Sequence, residues 1–194
     1  ANTELGANSL DDLLRRAREK PGEIAYVSNG VGGAIHLGME LLAQRAKVQL
    51  NHVPYKGFAP AMPDLLSGRT PVAMMDLAPL GPHLKSGKIK VLAVTSPQRY
   101  RLFPDVPTVA ELGFAGFQVE SWFSVYAPAK TPPAIIALLG EKIRKWAASA
   151  EAIDGMAAIG QEPEGSSAEY VQERFLREQK SFAPLVKAAN IKAE

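Results

Sequence analysis

Between Ile24 and Val94 the chain alternates short apolar runs with helical spacing, and the switch falls on turns marked by Gly, Pro or Asp. Ile24–Val27 reads as a short buried strand, Ser28-Asn29-Gly30-Val31-Gly32-Gly33 as a loop, and Ile35, Leu37, Met39, Leu41 and Leu42 as a mostly apolar helix ending near Arg45. The unit recurs. Leu50–Val53 predicts a second strand, Pro54-Tyr55-Lys56-Gly57 a turn and Pro60–Leu66 a short helix. Val72–Met75 predicts a third strand ending at Asp76, followed by a helix over Pro79–Lys85 and a fourth strand over Ile89–Val94. Apolar strands alternating with helices need right-handed crossovers, which lay the strands parallel and cover both faces of the sheet. The predicted fold class is α/β with a mostly parallel sheet.

Around this core the texture changes. Ser9 with Asp12 resembles a capping box, and Leu10, Leu13, Leu14 and Ala17 repeat at helical spacing until Pro21-Gly22. From Thr95 to Phe117 turns dominate, with Pro97, Pro104, Pro107, Gly113 and Gly116 around a short helix over Thr108–Leu112. Gln118–Tyr126 reads as a longer strand, and three helices follow over Ala134–Trp146, Ala150–Ile159 and Ala168 to about Ala189. Alternating units followed by a helical run predict two subdomains joined near Ser121–Pro128.

Composition removes several function classes. With 194 residues, 46% apolar and 22% charged, the chain has the make-up of a globular protein that buries a core without disulfides or metal, not of a disordered tail or a coiled coil. The longest stretch free of Lys, Arg, Asp and Glu, Ile24–Met39, is too short and too broken by glycine to span a bilayer. A net charge of +2 with scattered basic residues gives no stripe for nucleic acid. Zero Cys excludes thiol nucleophiles, disulfides and cysteine metal sites.

The loop Ser28–Gly33 sits after a strand and before a helix, where free amides aligned with the helix dipole receive an anion. Its Gly30-x-Gly32-Gly33 spacing fits neither the dinucleotide fingerprint nor a P-loop. It is either a cradle for a carboxylate or small oxyanion or an ordinary strand-to-helix turn. Pro54–Gly57 lies at the same kind of strand end, where Tyr55 supplies a flat wall and a hydroxyl and Lys56 attracts an anion or simply stays solvated. Asp76 either accepts a ligand hydroxyl or ammonium or caps the helix near Pro79. His36, His52 and His83 show no metal-pair spacing and read as structural. No Gly-x-Ser-x-Gly elbow and no marked acid–base pair of carboxylates is present, so neither a catalytic set nor a cofactor is expected, and binding is favoured over catalysis.

A series of segments then carries a resemblance: Pro21–Gly30, His52-Val53-Pro54-Tyr55-Lys56-Gly57, Asp64-Leu65-Leu66-Ser67-Gly68, Gly87–Ser96, Pro104–Glu111 and Trp122-Phe123. In this order, over almost the whole chain, they resemble the Bug/TctC extracytoplasmic solute receptors of tripartite tricarboxylate transporters. The resemblance implies a periplasmic, non-enzymatic, two-lobed binding protein of the type II-like periplasmic class. Such a protein closes over a small carboxylated solute and delivers it to membrane transporter subunits. Ser28, Asn29, Gly30, Val31, Gly32 and Gly33 would form the second lobe's half of the clamp, with Tyr55, Lys56, Gly57 and Asp76 as neighbouring walls. Many members carry Ser where this chain has Gly33, which removes one hydroxyl contact. Residues 1–120 would be the second lobe, 121–127 the crossover strand at the hinge, and 128–194 helices of a first lobe whose amino-terminal strand-helix units are not in this sequence. The apolar faces of those helices, with Ile135, Leu138, Leu139, Ile143 and Trp146, then need another surface, and a homo-oligomer or exchanged arrangement is expected. An interaction module that senses a ligand without transporting it is the alternative, and an enzyme acting on a carboxylated substrate ranks third.

Overall fold

The structure is a computed structural model and describes residues 1–76, 80–101, 103–188 and 191. Two compact units divide the chain, Ala1–Ser121 together with the segment from Pro184, and Trp122–Ala183.

In the first unit, helix α1 (Leu10–Glu19) begins where the Ser9 hydroxyl accepts the Asp12 amide at 3.1 Å, while Asp12 Oδ2 accepts the Asn8 amide at 3.1 Å. Its buried residues Leu10, Leu13, Leu14 and Ala17 form one stripe at i, i+3, i+4 and i+7, so the helix turns one apolar face to the interior of the unit. The chain turns through Gly22 at φ 76° and enters β1 (Ala25–Ser28). This strand runs between β2 (Asn51–Pro54) and β3 (Val72–Ala73), all parallel, in the order β2-β1-β3. Tyr26 and Val27 are fully buried, the continuous apolar character expected of a central parallel strand.

Helix α2 (Ala34–Ala46) carries β1 across to β2 and buries Ile35, Leu37, Met39, Leu41, Leu42 and Ala43. Neighbours come close at Gly38, where a Cβ would stand 2.6 Å from Val119 Cγ1 and 2.8 Å from Met74 Sδ. Val119 is buried and its amide donates to Thr95 O at 3.1 Å. A 3-10 turn (Ala59–Ala61), α3 (Met62–Leu66) and α4 (Gly81–Leu84) follow, and Met62, Leu65, Leu80 and Ile89 make a second cluster with Ala73 and Met75 against it. Buried Asn2 ties the first residues to this cluster, donating from Nδ2 to Leu65 O at 2.8 Å and Leu66 O at 3.1 Å.

Three expected elements change. Ile89–Val94 is not a strand beside β3: Ile89 makes a single antiparallel bridge to Asn2 and Val94 a single parallel bridge to Thr108. Its ladder groups are taken by separate partners, Lys90 donating to Ala1 O and accepting from the Ala1 amine, both at 2.8 Å, and Val94 donating to Pro107 O at 3.0 Å, so no continuous ladder grows. Thr108–Leu112 forms turns rather than a helix. Thr108 and Glu111 close a reciprocal capping box, amide to Glu111 Oε2 at 2.7 Å and Glu111 amide to Thr108 Oγ1 at 3.0 Å, but Gly113 at φ 98° ends it within one turn. Gln118–Tyr126 is not a strand: the Val119 amide donates to Thr95 O at 3.1 Å, but no ladder forms along the segment among the described residues.

In the second unit, α5 (Pro133–Ala147) opens on a proline at its first position and α6 (Ala150–Ala158) on Ser149, whose hydroxyl accepts the Ala152 amide at 3.2 Å. Helix α7 (Ala168–Ala188) contains Pro184, where the chain passes from the second unit to the first. Buried Arg174 of α7 stacks over Trp122 at 5.3 Å, and Glu178 accepts from both, at 2.9 Å from Arg174 Nε and 2.8 Å from Trp122 Nε1. The apolar side chains Ile135, Leu138, Leu139 and Trp146 of α5 are exposed, as are Phe123, Val125 and Tyr126, while Ile143 is half-buried. Among the described residues no helix is long and apolar enough to cross a membrane.

Candidate functional site

The strand order makes β1 the point at which the winding reverses. From β1 the chain moves to β2 on one side and then passes back to β3 on the other. At such a switch point the crossovers diverge and leave a crevice outside the carboxyl ends of the strands. The loop Ser28–Gly33 leaves β1 at that end, Tyr55-Lys56-Gly57 leaves β2, and Asp76 lies three residues beyond β3.

Backbone bonds join the first two loops. Tyr55 donates its amide to Ser28 O at 3.1 Å and Gly57 to Asn29 O at 3.3 Å. Gly30 at φ 148°, Gly32 at φ 77° and Gly57 at φ 93° occupy backbone regions that a side chain makes costly, which is why glycine stands there. Ser28 is fully buried. Its hydroxyl donates to Gly30 O at 3.0 Å, accepts the Gly30 amide at 3.3 Å and lies 2.7 Å from His52 Nε2. The Gly32 amide donates to His36 Nδ1 at 3.0 Å. Gly33 is the N-cap residue of α2 and supplies no side-chain cap, so Ala34, Ile35 and His36 present first-turn amides with no partner inside the helix. A Cβ at Gly33 would meet only ordinary contacts, Asn29 Oδ1 at 3.5 Å and Gly30 O at 3.9 Å, so the shape of this turn does not itself demand glycine there.

Asn29 and Lys56 are exposed and Val31, Tyr55, Gly57 and Asp76 half-buried. The Tyr55 hydroxyl is engaged, donating to Asp64 Oδ2 at 2.5 Å, and this bond raises its pKa above the usual phenol value. Asp76 does not cap α4, whose N-cap is Leu80 without a side-chain bond; Pro79 lies outside the described residues. His83 sits in α4, away from these loops in sequence, whereas His36 and His52 meet. Their rings stack with centroids 3.8 Å apart and planes 11° apart, and Tyr26 stacks on His52 at 4.9 Å. Burial holds the His52 pKa down to about 4, helped by the His36 charge, and burial also lowers His36. The pairing register carried a sign of this arrangement, since Tyr26 opposes His52 and Ser28 follows Tyr26 by two residues on the same face. Among the described residues no group of three His, Cys, Asp or Glu could hold a metal.

The family model described as the tripartite tricarboxylate transporter family receptor, TctC, matches residues 1–191. The chain belongs to this family. Protein BugT of Bordetella pertussis is 38% identical over 162 residues, 84% of this chain and 50% of that protein. Among solved structures, R. palustris Rpa4515 with adipate superposes with a TM-score of 0.85 at 34% identity, over 98% of this chain and 64% of that one. The periplasmic binding protein BugD gives 0.75 at 31% identity, over 96% and 63%. This TctC-family chain therefore has the mixed α/β, periplasmic-binding-protein type of fold, and spans about half the length of BugT and under two thirds of the solved chains.

Proposed function

We propose that this chain belongs to a non-enzymatic periplasmic receptor that binds a small carboxylate and hands it to the membrane subunits of a tripartite transporter. The observation that carries the reading is the uncapped start of α2 at the switch point of the sheet. The amides of Ala34, Ile35 and His36 receive one carboxylate, because a dipole end and several donors without a partner inside the helix favour an anion there. Gly30 and Gly32 act through shape, since their own amides are already spent on Ser28 and His36. Exposed Asn29 and half-buried Val31 border the entry, Tyr55 offers its ring as a wall and Lys56 adds attraction for the anion. Asp76 receives a hydroxyl or ammonium on the solute. Adipate, present in the 34% identical R. palustris protein, supports a dicarboxylate as the ligand class.

Titrating adipate into the 194-residue chain by calorimetry should give saturable heat at pH 7, with none from its uncharged diamide. Silence toward adipate and toward a panel of other small carboxylates would sink the proposal. The division into a second lobe over 1–120, a hinge strand over 121–127 and first-lobe helices over 128–194 belongs to the same reading. So does self-association through Ile135, Leu138, Leu139 and Trp146, whose exposure is unusual for apolar side chains of a helix. Light scattering should return at least twice the chain mass of 20.8 kDa, and a strictly monomeric mass would count against it.

A further inference from the structure

We infer that His36 is a positioning residue for the carboxylate loop: its neutral ring holds the Gly32 amide, and protonation of the stacked His36–His52 pair releases the loop. This rests on the carboxylate reading of Ser28–Gly33. The Gly32 N–H donates to His36 Nδ1 at 3.0 Å, so that nitrogen carries no proton and the ring's own N–H sits on Nε2. Adding a proton at Nδ1 sets donor against donor and breaks the bond. Gly32 then loses the hydrogen bond that ties it to the helix its loop leads into.

The second ring amplifies the effect. His52 lies 3.8 Å from His36, centroid to centroid, so two charged rings would face each other across a van der Waals gap. His52 also lies 2.7 Å from the Ser28 hydroxyl, which itself holds both the amide and the carbonyl of Gly30. The two histidines therefore grip the loop at both of its strained glycines.

The charged groups facing the pair come from three elements. On α2, Glu40 favours the charged form of His36; from β2 comes His52, which the His36 charge disfavours; from β1, Tyr26 stacks on His52 and donates its hydroxyl to Glu40 Oε1 at 2.5 Å. That hydrogen bond partly satisfies Glu40, and burial outweighs it as the leading influence on His36. The sign follows from the depressed pKa values. An open loop takes up protons from about pH 6.5 downward, while in the closed loop His52 refuses its proton until about pH 4. Closure therefore weakens as pH falls across this window and is complete near neutrality.

The first test needs no ligand. Amide exchange of Gly32 in the 194-residue chain, referred to its intrinsic rate, should show protection at pH 7 that falls at least tenfold by pH 4.5. In His36→Asn, whose side-chain oxygen stands near the place of Nδ1 but does not titrate, protection should stay level across that range. An unprotected Gly32 at pH 7, or the same pH profile in both proteins, overturns the inference. The second test uses adipate at pH 7. His36→Leu should weaken binding more than tenfold and His36→Asn should recover most of that loss. Equal weakening by both variants, with thermal unfolding showing both folded, also overturns it. If the wild-type chain binds neither adipate nor the other small carboxylates, the carboxylate reading fails while Gly32 exchange still decides the histidine grip.

Discussion

Gly38→Ala is expected to destabilise the first unit by about 1–2 kcal/mol and lower its unfolding temperature by about 2–8 °C. Two effects of opposite sign compete. Alanine gains up to about 1 kcal/mol over glycine in a helix interior, which alone would raise stability. The new methyl, however, would stand 2.6 Å from Val119 Cγ1 and 2.8 Å from Met74 Sδ. Met74 can swing its flexible end aside. Val119 cannot, because its branched side chain is buried and its backbone is tied to Thr95. Overpacking against a stiff neighbour costs about 1–3 kcal/mol, so the clash wins. Thermal unfolding checks it, and Val119→Ala in the Gly38→Ala background should recover part of the loss. A melting temperature at or above wild type would show that α2 does not sit this close to the 117–119 segment.

Gly38 also shows what the sequence can and cannot disclose. The apolar spacing of α2, the stripe on α1 and the short runs of β1 and β2 were legible because each is set by local periodicity and a turn residue at its end. The carboxyl-terminal helices were legible for the same reason, with Pro133 and Ser149 marking two starts. Elements that need a partner were not. Ile89–Val94 has the composition of a strand, but its hydrogen-bonding groups go to Ala1, Pro107 and Val109, choices made by tertiary packing. Phe123, Val125 and Tyr126 alternate in a strand-like way and stay exposed, with no strand beside them among the described residues.

The candidate site divides in the same manner. The loop Ser28–Gly33 stands out by its glycines and its place between strand and helix. The use made of each group does not: the hydroxyl of Ser28 and the amides of Gly30 and Gly32 turn inward, and three histidines that all read as structural include two that stack beneath the loop. Only the pairing of β1 with β2 brings His52 to that position.

Gly30→Ala is expected to weaken adipate binding about ten- to hundredfold while leaving the fold intact. A Cβ at Gly30 would meet nothing within 4 Å, so no packing is lost; the whole effect comes from φ 148°, where an L side chain is strained. Holding a residue in such a region costs about 1–3 kcal/mol. The free loop avoids that cost by relaxing to another shape, and the ligand must then restore the binding shape at the expense of its own affinity. At about 1.4 kcal/mol per tenfold, the strain converts directly into the expected loss. Gly113→Ala provides the comparison: its φ is 98°, again with nothing within 4 Å, but its turn lies outside the three loops of the switch point. The same kind of strain there should cost stability and leave adipate affinity unchanged. Calorimetry on the two variants separates the possibilities. Equal affinities for Gly30→Ala and wild type would mean that the loop's shape is not what the carboxylate reads, and the amides of α2 would then have to act without it.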